Sequence, residues 1–258
     1  MKKDKNIGAA FCDAAALIDK MQRIGILCAL EVELEDILKE VQGVSKEEVY
    51  GFTFYEGFLH RCPVVLTVCG VGKVNAARGT QMMIDRYHPA CILNSGIAGG
   101  LREDLKIGDI VVAEDLVQHD FDATAFGYAK GYLCTGEDST KPTFFTADEH
   151  LSSLLLRAAE EKGAPHHAAM GRIATGDIFV SGKENKKAVK DQFDAAACEM
   201  ESAAVAQVAQ YSGIPFGILR VISDCADGTQ TEEYEQFEVE TAHASAAILC
   251  RFIELIGA

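Results

Sequence analysis

The chain has 258 residues, 48% of them hydrophobic, and a formal net charge of −15. That length holds one large domain or two small ones with a sizeable core. The acidic balance, with no basic cluster beyond Lys183, Lys186, Lys187 and Lys190, argues against phosphate-led nucleic-acid binding, and the apolar runs stop well short of the ~20 residues that a membrane span needs.

The expected partners are therefore small molecules or proteins, with no nucleic acid and no membrane. Nine cysteines form no CxxC pair. Most lie among apolar neighbours, as in LCAL and TVCG. That pattern fits buried thiols in a reducing cytoplasm rather than disulfides or a zinc site. Residues 1–20 begin basic and Ala-rich, but Asp13 and Asp19 interrupt any signal-peptide core. The expectation is an N-terminal extension over 1–20, with translation able to start at Met21, and one domain over 21–258.

Ile24–Leu30 reads as a buried strand and Glu31–Val41 as a helix. Acidic residues crowd the first turns of that helix, where the helix dipole favours anions. Phe52–Phe58 and Pro63–Cys69 read as two strands, joined in a hairpin through His60–Cys62. GVGK opens a helix over Val74–Tyr87, and Ala90–Asn94 is a short strand ending in SGIAGG. A strand lies within Asp109–His119, followed by a long loop over 120–145. A helix over Ala147–Lys162, a strand over Arg172–Thr175 and a helix over Gly182–Gln192 come next. Lys183, Lys186, Lys187 and Lys190 share helical spacing on that last helix and read as a solvated face. Ala196–Met200 is a strand running into a helix over Ser202–Ser212. Phe216–Ser223 is a strand, and a C-terminal helix covers Glu232–Ile256.

Short buried strands alternating with helices predict an α/β fold. Ligands in such folds bind beyond the carboxyl ends of the strands, and glycines and carboxylates collect at those ends. CGVGKV has a Val after its Lys, so it is not a phosphate-binding P-loop. It fits either a tight turn or backbone lying close to a ligand. NSGIAGG, which contains Gly99, poses the same choice. Glu33 suits a helix start or a site, and Asp224 suits a turn cap or a site. Glu199 and Glu201 alternate across a strand end, which predicts one pointing inward and one outward. Arg220, inside GILRVIS, needs an anion if it is buried, and one of these carboxylates is its expected partner. HDFD at 119–122 lacks supporting ligands, so no metal is expected, and no GxSxG elbow marks a serine nucleophile. Separated carboxylates, one Arg and Gly-rich turns suit acid–base cleavage of a glycosidic bond in a hydroxyl-bearing substrate.

ALEVELEDIL, CGVGKVNAA, NSGIAGGL, IGDIVVAEDLVQHDFDATAFGY, GDIFVSG, CEMESAAVA and RVISDCAD occur in that order from about residue 21 onward. Together they resemble the 5′-methylthioadenosine/S-adenosylhomocysteine nucleosidases of the nucleoside phosphorylase superfamily. The resemblance implies one α/β domain with a mixed, barrel-like central sheet flanked by helices, working without a cofactor as a cytoplasmic homodimer on a nucleoside. It implies that Glu33 activates the attacking water and that Asp224, supported by Ser223, protonates adenine. Glu201 would hold the ribose hydroxyls through its charged form, with Met200 against the sugar and Arg220 positioning water and carboxylates. Phe179 and Val180 would hold adenine, Leu30, Val71 and Tyr234 would lie around the ribose and its 5′ tail, and Gly99 would also line the substrate site. Ala123, Phe126 and Tyr128 would cover that tail from the neighbouring subunit. Asp224 would hold or share a proton as the bond breaks, a state that a dry site favours.

Ile97 stands where many relatives carry Ser or Thr, and Tyr234 where Phe is common. A phosphorylase on the same fold would carry Arg in a glycine-rich early segment, where this chain has Glu33. A futalosine-type hydrolase is the remaining rival, because the contacts at the ring end are largely backbone.

Overall fold

The computed structural model describes residues 22–225 and 230–257, with backbone only at 230–236 and 238. The 1–20 extension and Met21 lie outside the described residues. Ten strands form one mixed sheet. In chain order they are β1 (Ile24–Cys28), β2 (Gln42–Val49), β3 (Phe52–Leu59), β4 (Cys62–Val68), β5 (Cys91–Gly100), β6 (Ile110–Gln118), β7 (Phe144–Thr146), β8 (Ala168–Thr175), β9 (Ala197–Glu199) and β10 (Phe216–Asp224). The helices are α1 (Glu31–Glu40), α2 (Lys73–Tyr87), α3 (Glu149–Lys162), α4 (Lys183–Phe193), α5 (Ser202–Tyr211) and α6 (Gln230–Gly257).

The sheet runs β10-β6-β8-β9-β5-β1-β4-β3-β2, and an extra β10–β5 pairing closes its first five strands into a barrel. β1, β4, β5 and β10 run parallel to one another, which places their carboxyl ends on one side. IGILC in β1 is buried throughout, as expected of a parallel strand covered on both faces. Alternate residues enter different cores. Ile24, Ile26 and Cys28 pack with Leu34 and Ile37 of α1 and with Ile248, Leu249, Phe252 and Ile253 of α6. Leu27 faces the other way, in a core with Met83 and Tyr87 of α2 and Ala203 and Val205 of α5. Each fully buried side chain of this kind contributes about 1.5–3 kcal/mol.

β2 was not expected, because nearly all of its residues are exposed and it shows no apolar alternation. It pairs only with β3, as an edge strand. The β3–β4 hairpin forms where the sequence places it, with Leu59 opposite Cys62 across a turn in which His60 and Arg61 both have positive φ. The long loop holds one 3-10 turn at Thr124–Phe126 and ends at β7. β5 extends well beyond Asn94, through the whole SGIAGG run. Its glycines are strand residues: Gly96 and Gly99 are held in parallel register with β10, and Gly100 pairs antiparallel with Ala197 of β9.

Candidate active site

The carboxyl ends of β1, β5, β9 and β10 surround a cleft of about 410 Å³. Leu30 and Glu33 enter it from the start of α1, and Val71 from the β4–α2 turn. Ile97 and Gly99 line it from β5, and Phe179 and Val180 from the loop before α4. Met200, Glu201, Ser223 and Asp224 complete the wall. Sequence motifs more than a hundred residues apart thus meet in one place. Among the described residues, no Lys, Arg or His lines the cleft.

Glu33 lies in the first turn of α1, and its side chain folds back over the helix start. Its Oε2 accepts from the backbone N–H groups of Ala29 at 2.8 Å and Leu30 at 3.0 Å. Its Oε1 accepts from Ile97 N at 3.3 Å. The helix-start and site readings of Glu33 therefore coincide. Burial pushes its carboxyl above the ordinary glutamate value, against the opposing pull of Arg220 and these N–H donors. Gly96 makes this placement possible, because a Cβ at 96 would stand 2.6 Å from Glu33 Oε1.

Glu199 and Glu201 are both buried, contrary to the expected in–out alternation. β9 ends at Glu199, and Glu201 is already the N-cap of α5, so strand periodicity no longer applies between them. Glu199 is the ion-pair partner of Arg220, whose Nη2 donates to its Oε2 at 2.8 Å. Ser202 N and Oγ and Glu201 N donate to the same oxygen. Burial acts to raise the Glu199 carboxyl, but Arg220 and the bonds from Thr175 and Ser202 bring it below its usual value. Arg220 is 1% exposed and also holds Asn94 Oδ1 at 2.6 Å. It stands behind the cleft wall, and losing it would leave Glu199 buried without its cation, which typically destabilises by about 3–5 kcal/mol.

Glu201 Oε1 accepts from Gly72 N at 2.8 Å. The GVG segment is therefore a tight turn, with Gly72 at φ 98°, and it also brings backbone to the site. Burial and the neighbouring Glu199 push the Glu201 carboxyl up to about 8, against the opposing pull of Arg220 and of the Gly72 N–H.

Asp224 closes β10, and its Oδ1 is 3.2 Å from Ser223 Oγ. Its Oδ2 pairs with Lys186. Lys186 is 1% exposed, so it does not belong to the solvated lysine face expected of α4. Val189 and Phe193 lie one and two turns along the same inward side of the helix. That apolar stripe was the available signal that Lys186 points inward.

The phosphorylase superfamily model matches residues 23–254. The chain belongs to that superfamily. A 5′-methylthioadenosine/S-adenosylhomocysteine nucleosidase from Staphylococcus saprophyticus is 38% identical over 234 residues, covering 90% of this chain and all of the relative. The solved structure of the nucleosidase of the same name from Neisseria meningitidis, in complex with methylthio-immucillin-A, is 33% identical. It superposes with a TM-score of 0.84 over 91% of this chain and 100% of that one. A futalosine hydrolase from Helicobacter pylori is 36% identical, with a TM-score of 0.83 over 91% of this chain and 98% of that one. The closed mixed barrel flanked by helices is thus the fold expected from the sequence.

The superfamily chain keeps several expected site residues away from its own cleft. Phe126 is 79% exposed, next to Tyr128 at a ring separation of 6.3 Å, and neither lines the cleft; nor does Ala123. The side chain of Tyr234 lies outside the described residues. Asp120 of the HDFD motif ties the start of α2 to the loop before α4. Asp120 Oδ1 pairs with Lys73 at 2.6 Å, while its Oδ2 accepts from Asp177 N at 2.9 Å. Sequence reasoning missed this brace, because the partners lie about 50 residues away on either side.

Proposed function

We propose that the protein is an N-glycoside hydrolase that releases adenine from 5′-methylthioadenosine and S-adenosylhomocysteine. The observation that carries this reading is the Glu33 carboxyl in a cleft lined by no Lys, Arg or His among its described residues. A phosphorylase needs donors or positive charge for phosphate, whereas Glu33 suits the activation of water. The names of the relatives at 33–38% identity support the same substrates.

In this reading Glu33 takes a proton from the water that attacks the anomeric carbon. Asp224 gives a proton to the five-membered ring of the purine, so that the base leaves as a neutral species. Glu201 holds the ribose hydroxyls, and two such donors favour its ionised form. Met200 packs on the sugar, Leu30 and Val71 flank the ribose and its tail, and Gly99 lies beside Asp224. Phe179 and Val180 hold the base. Ser223 orients Asp224, and Arg220 orients the carboxylates through Glu199.

The protein acts as a cytoplasmic homodimer in which Ala123, Phe126 and Tyr128 of one copy cover the 5′ tail bound by the other. The exposed aromatic pair supports this placement, since large exposed apolar side chains that cluster mark interaction surfaces. Phe126→Ala is expected to raise KM for methylthioadenosine about tenfold while leaving kcat near wild type. Steady-state kinetics test this, and an active monomer with unchanged KM contradicts it.

The Helicobacter pylori futalosine hydrolase is as similar as the nucleosidases, which keeps one second reading open. The test is kcat/KM for methylthioadenosine, S-adenosylhomocysteine and futalosine, measured side by side. The expected result is a clear preference for the two adenosine thioethers. A preference for futalosine would replace the substrate assignment and leave the chemistry intact.

A further inference from the structure

Lys186 sits in the first turn of α4, while Lys183 and Lys187 beside it are exposed. Its ammonium is buried, paired with Asp224 Oδ2 and donating to Cys225 O at 3.2 Å. β5 leaves room for this pair. A Cβ on Gly99 would stand 3.1 Å from Asp224 Oδ2 and 3.2 Å from Lys186 Nζ. Ser223 Oγ sits 3.2 Å from the other carboxylate oxygen. The Cys198 thiol nearby is pushed up to about 12 by burial, so it stays neutral. A lysine is rarely this buried without a specific partner. Here that partner is the one carboxylate that the reaction requires to part with a proton.

We propose that Lys186 is the positioning residue for the leaving-group acid. Its ammonium fixes the Asp224 carboxyl at the base end of the cleft and stabilises the negative charge that appears there as the proton moves to the purine. The inference rests on the proposed role of Asp224. In the step, the Asp224 O–H bond breaks and a ring N–H bond forms on the purine. The bond between the anomeric carbon and the purine nitrogen breaks, and its electron pair goes to the base. Water supplies the new C–O bond and gives its proton to Glu33. Glu33 later returns that proton to solvent, from which Asp224 regains its own. A preorganised cation acting where charge develops lowers the barrier without adding ground-state affinity.

The test uses Lys186→Met, Lys186→Gln and Lys186→Arg in the full chain, with Asp224→Asn and the Lys186→Met/Asp224→Asn double variant. Two substrates are compared: methylthioadenosine, and a riboside with a 4-nitrophenolate leaving group that departs without protonation. Lys186→Met is expected to lose about 10²-fold in kcat on methylthioadenosine, with KM within about threefold of wild type. It should keep near-normal turnover of the nitrophenyl riboside, and Lys186→Arg should recover most of the lost kcat. Adding Lys186→Met to Asp224→Asn should cost nothing further, as expected for two residues acting as a unit. Lys186→Gln, which keeps a donor but no charge, carries the same test if the Met variant does not fold. Equal losses on both substrates, or wild-type kcat in the Met or Gln variant, would overturn the proposal. If Asp224→Asn itself turns over methylthioadenosine normally, the assignment of the acid fails instead, whatever Lys186 does.

Discussion

Asp224→Asn is expected to lower kcat for adenine release by about 10²–10⁴-fold while nucleoside binding persists. Asparagine keeps the shape of the side chain and its contact with Ser223, but it has no acidic proton to give. Purine is a poor leaving group until its ring nitrogen is protonated, so the loss belongs in kcat rather than in KM. The rest of the cleft wall comes from the start of α1, the β4–α2 turn, β5, β9 and the loop before α4. Single-turnover kinetics, with equilibrium binding of methylthioadenosine measured separately, resolve the two effects. Near-normal turnover would remove Asp224 from the role of acid, and loss of binding without loss of kcat would make it a binding residue.

Glu33→Gln should be inactivated to a similar degree, about 10²–10⁴-fold, for a different reason. Glutamine can still accept from Ala29 N and Leu30 N, so the start of α1 keeps its contacts. It cannot take a proton from water. The pH profile gives an independent check. Burial raises the Glu33 carboxyl, and a general base works only when ionised. The acidic limb of kcat/KM is therefore expected above the ordinary glutamate range, and the Gln variant should lack the Glu33 contribution to it. The stability effect has a defined sign. A carboxyl that titrates higher in the folded than in the unfolded chain stabilises the fold at low pH, and that contribution fades as pH rises through the folded value. Glu33→Gln removes the burden of a buried charge, so its Tm at pH 8 should equal or exceed wild type. A variant that is both less active and less stable at pH 8 would point to a structural role instead.

These two residues show how much could be read from the chain. Glu33 and Asp224 were legible because each follows a buried apolar strand, where an α/β fold presents its ligands. The strand-end rule located nearly the whole cleft without any coordinates. It failed where periodicity broke down. Glu199 and Glu201 seemed to alternate, yet the chain leaves β9 between them and both turn inward. SGIAGG was open to reading as a turn, because glycine is common there. In the fold its residues are strand, and the missing side chains make room for Glu33 and for the Asp224–Lys186 pair. Lys186 was lost among neighbouring lysines, since charge patterning describes a face and not a single inward position. The brace between Lys73, Asp120 and Asp177 depends on long-range contacts that no local window contains. β2 was missed because an edge strand without a buried face carries no apolar signal.

The central claim is that water, and not phosphate, attacks the sugar. The direct measurement is adenine released from methylthioadenosine by the purified protein in phosphate-free buffer, and again with phosphate added. Release at the same rate in both, with methylthioribose as the other product, is the expected result. Release that requires phosphate and yields the sugar 1-phosphate would contradict it, and would take the role of base away from Glu33.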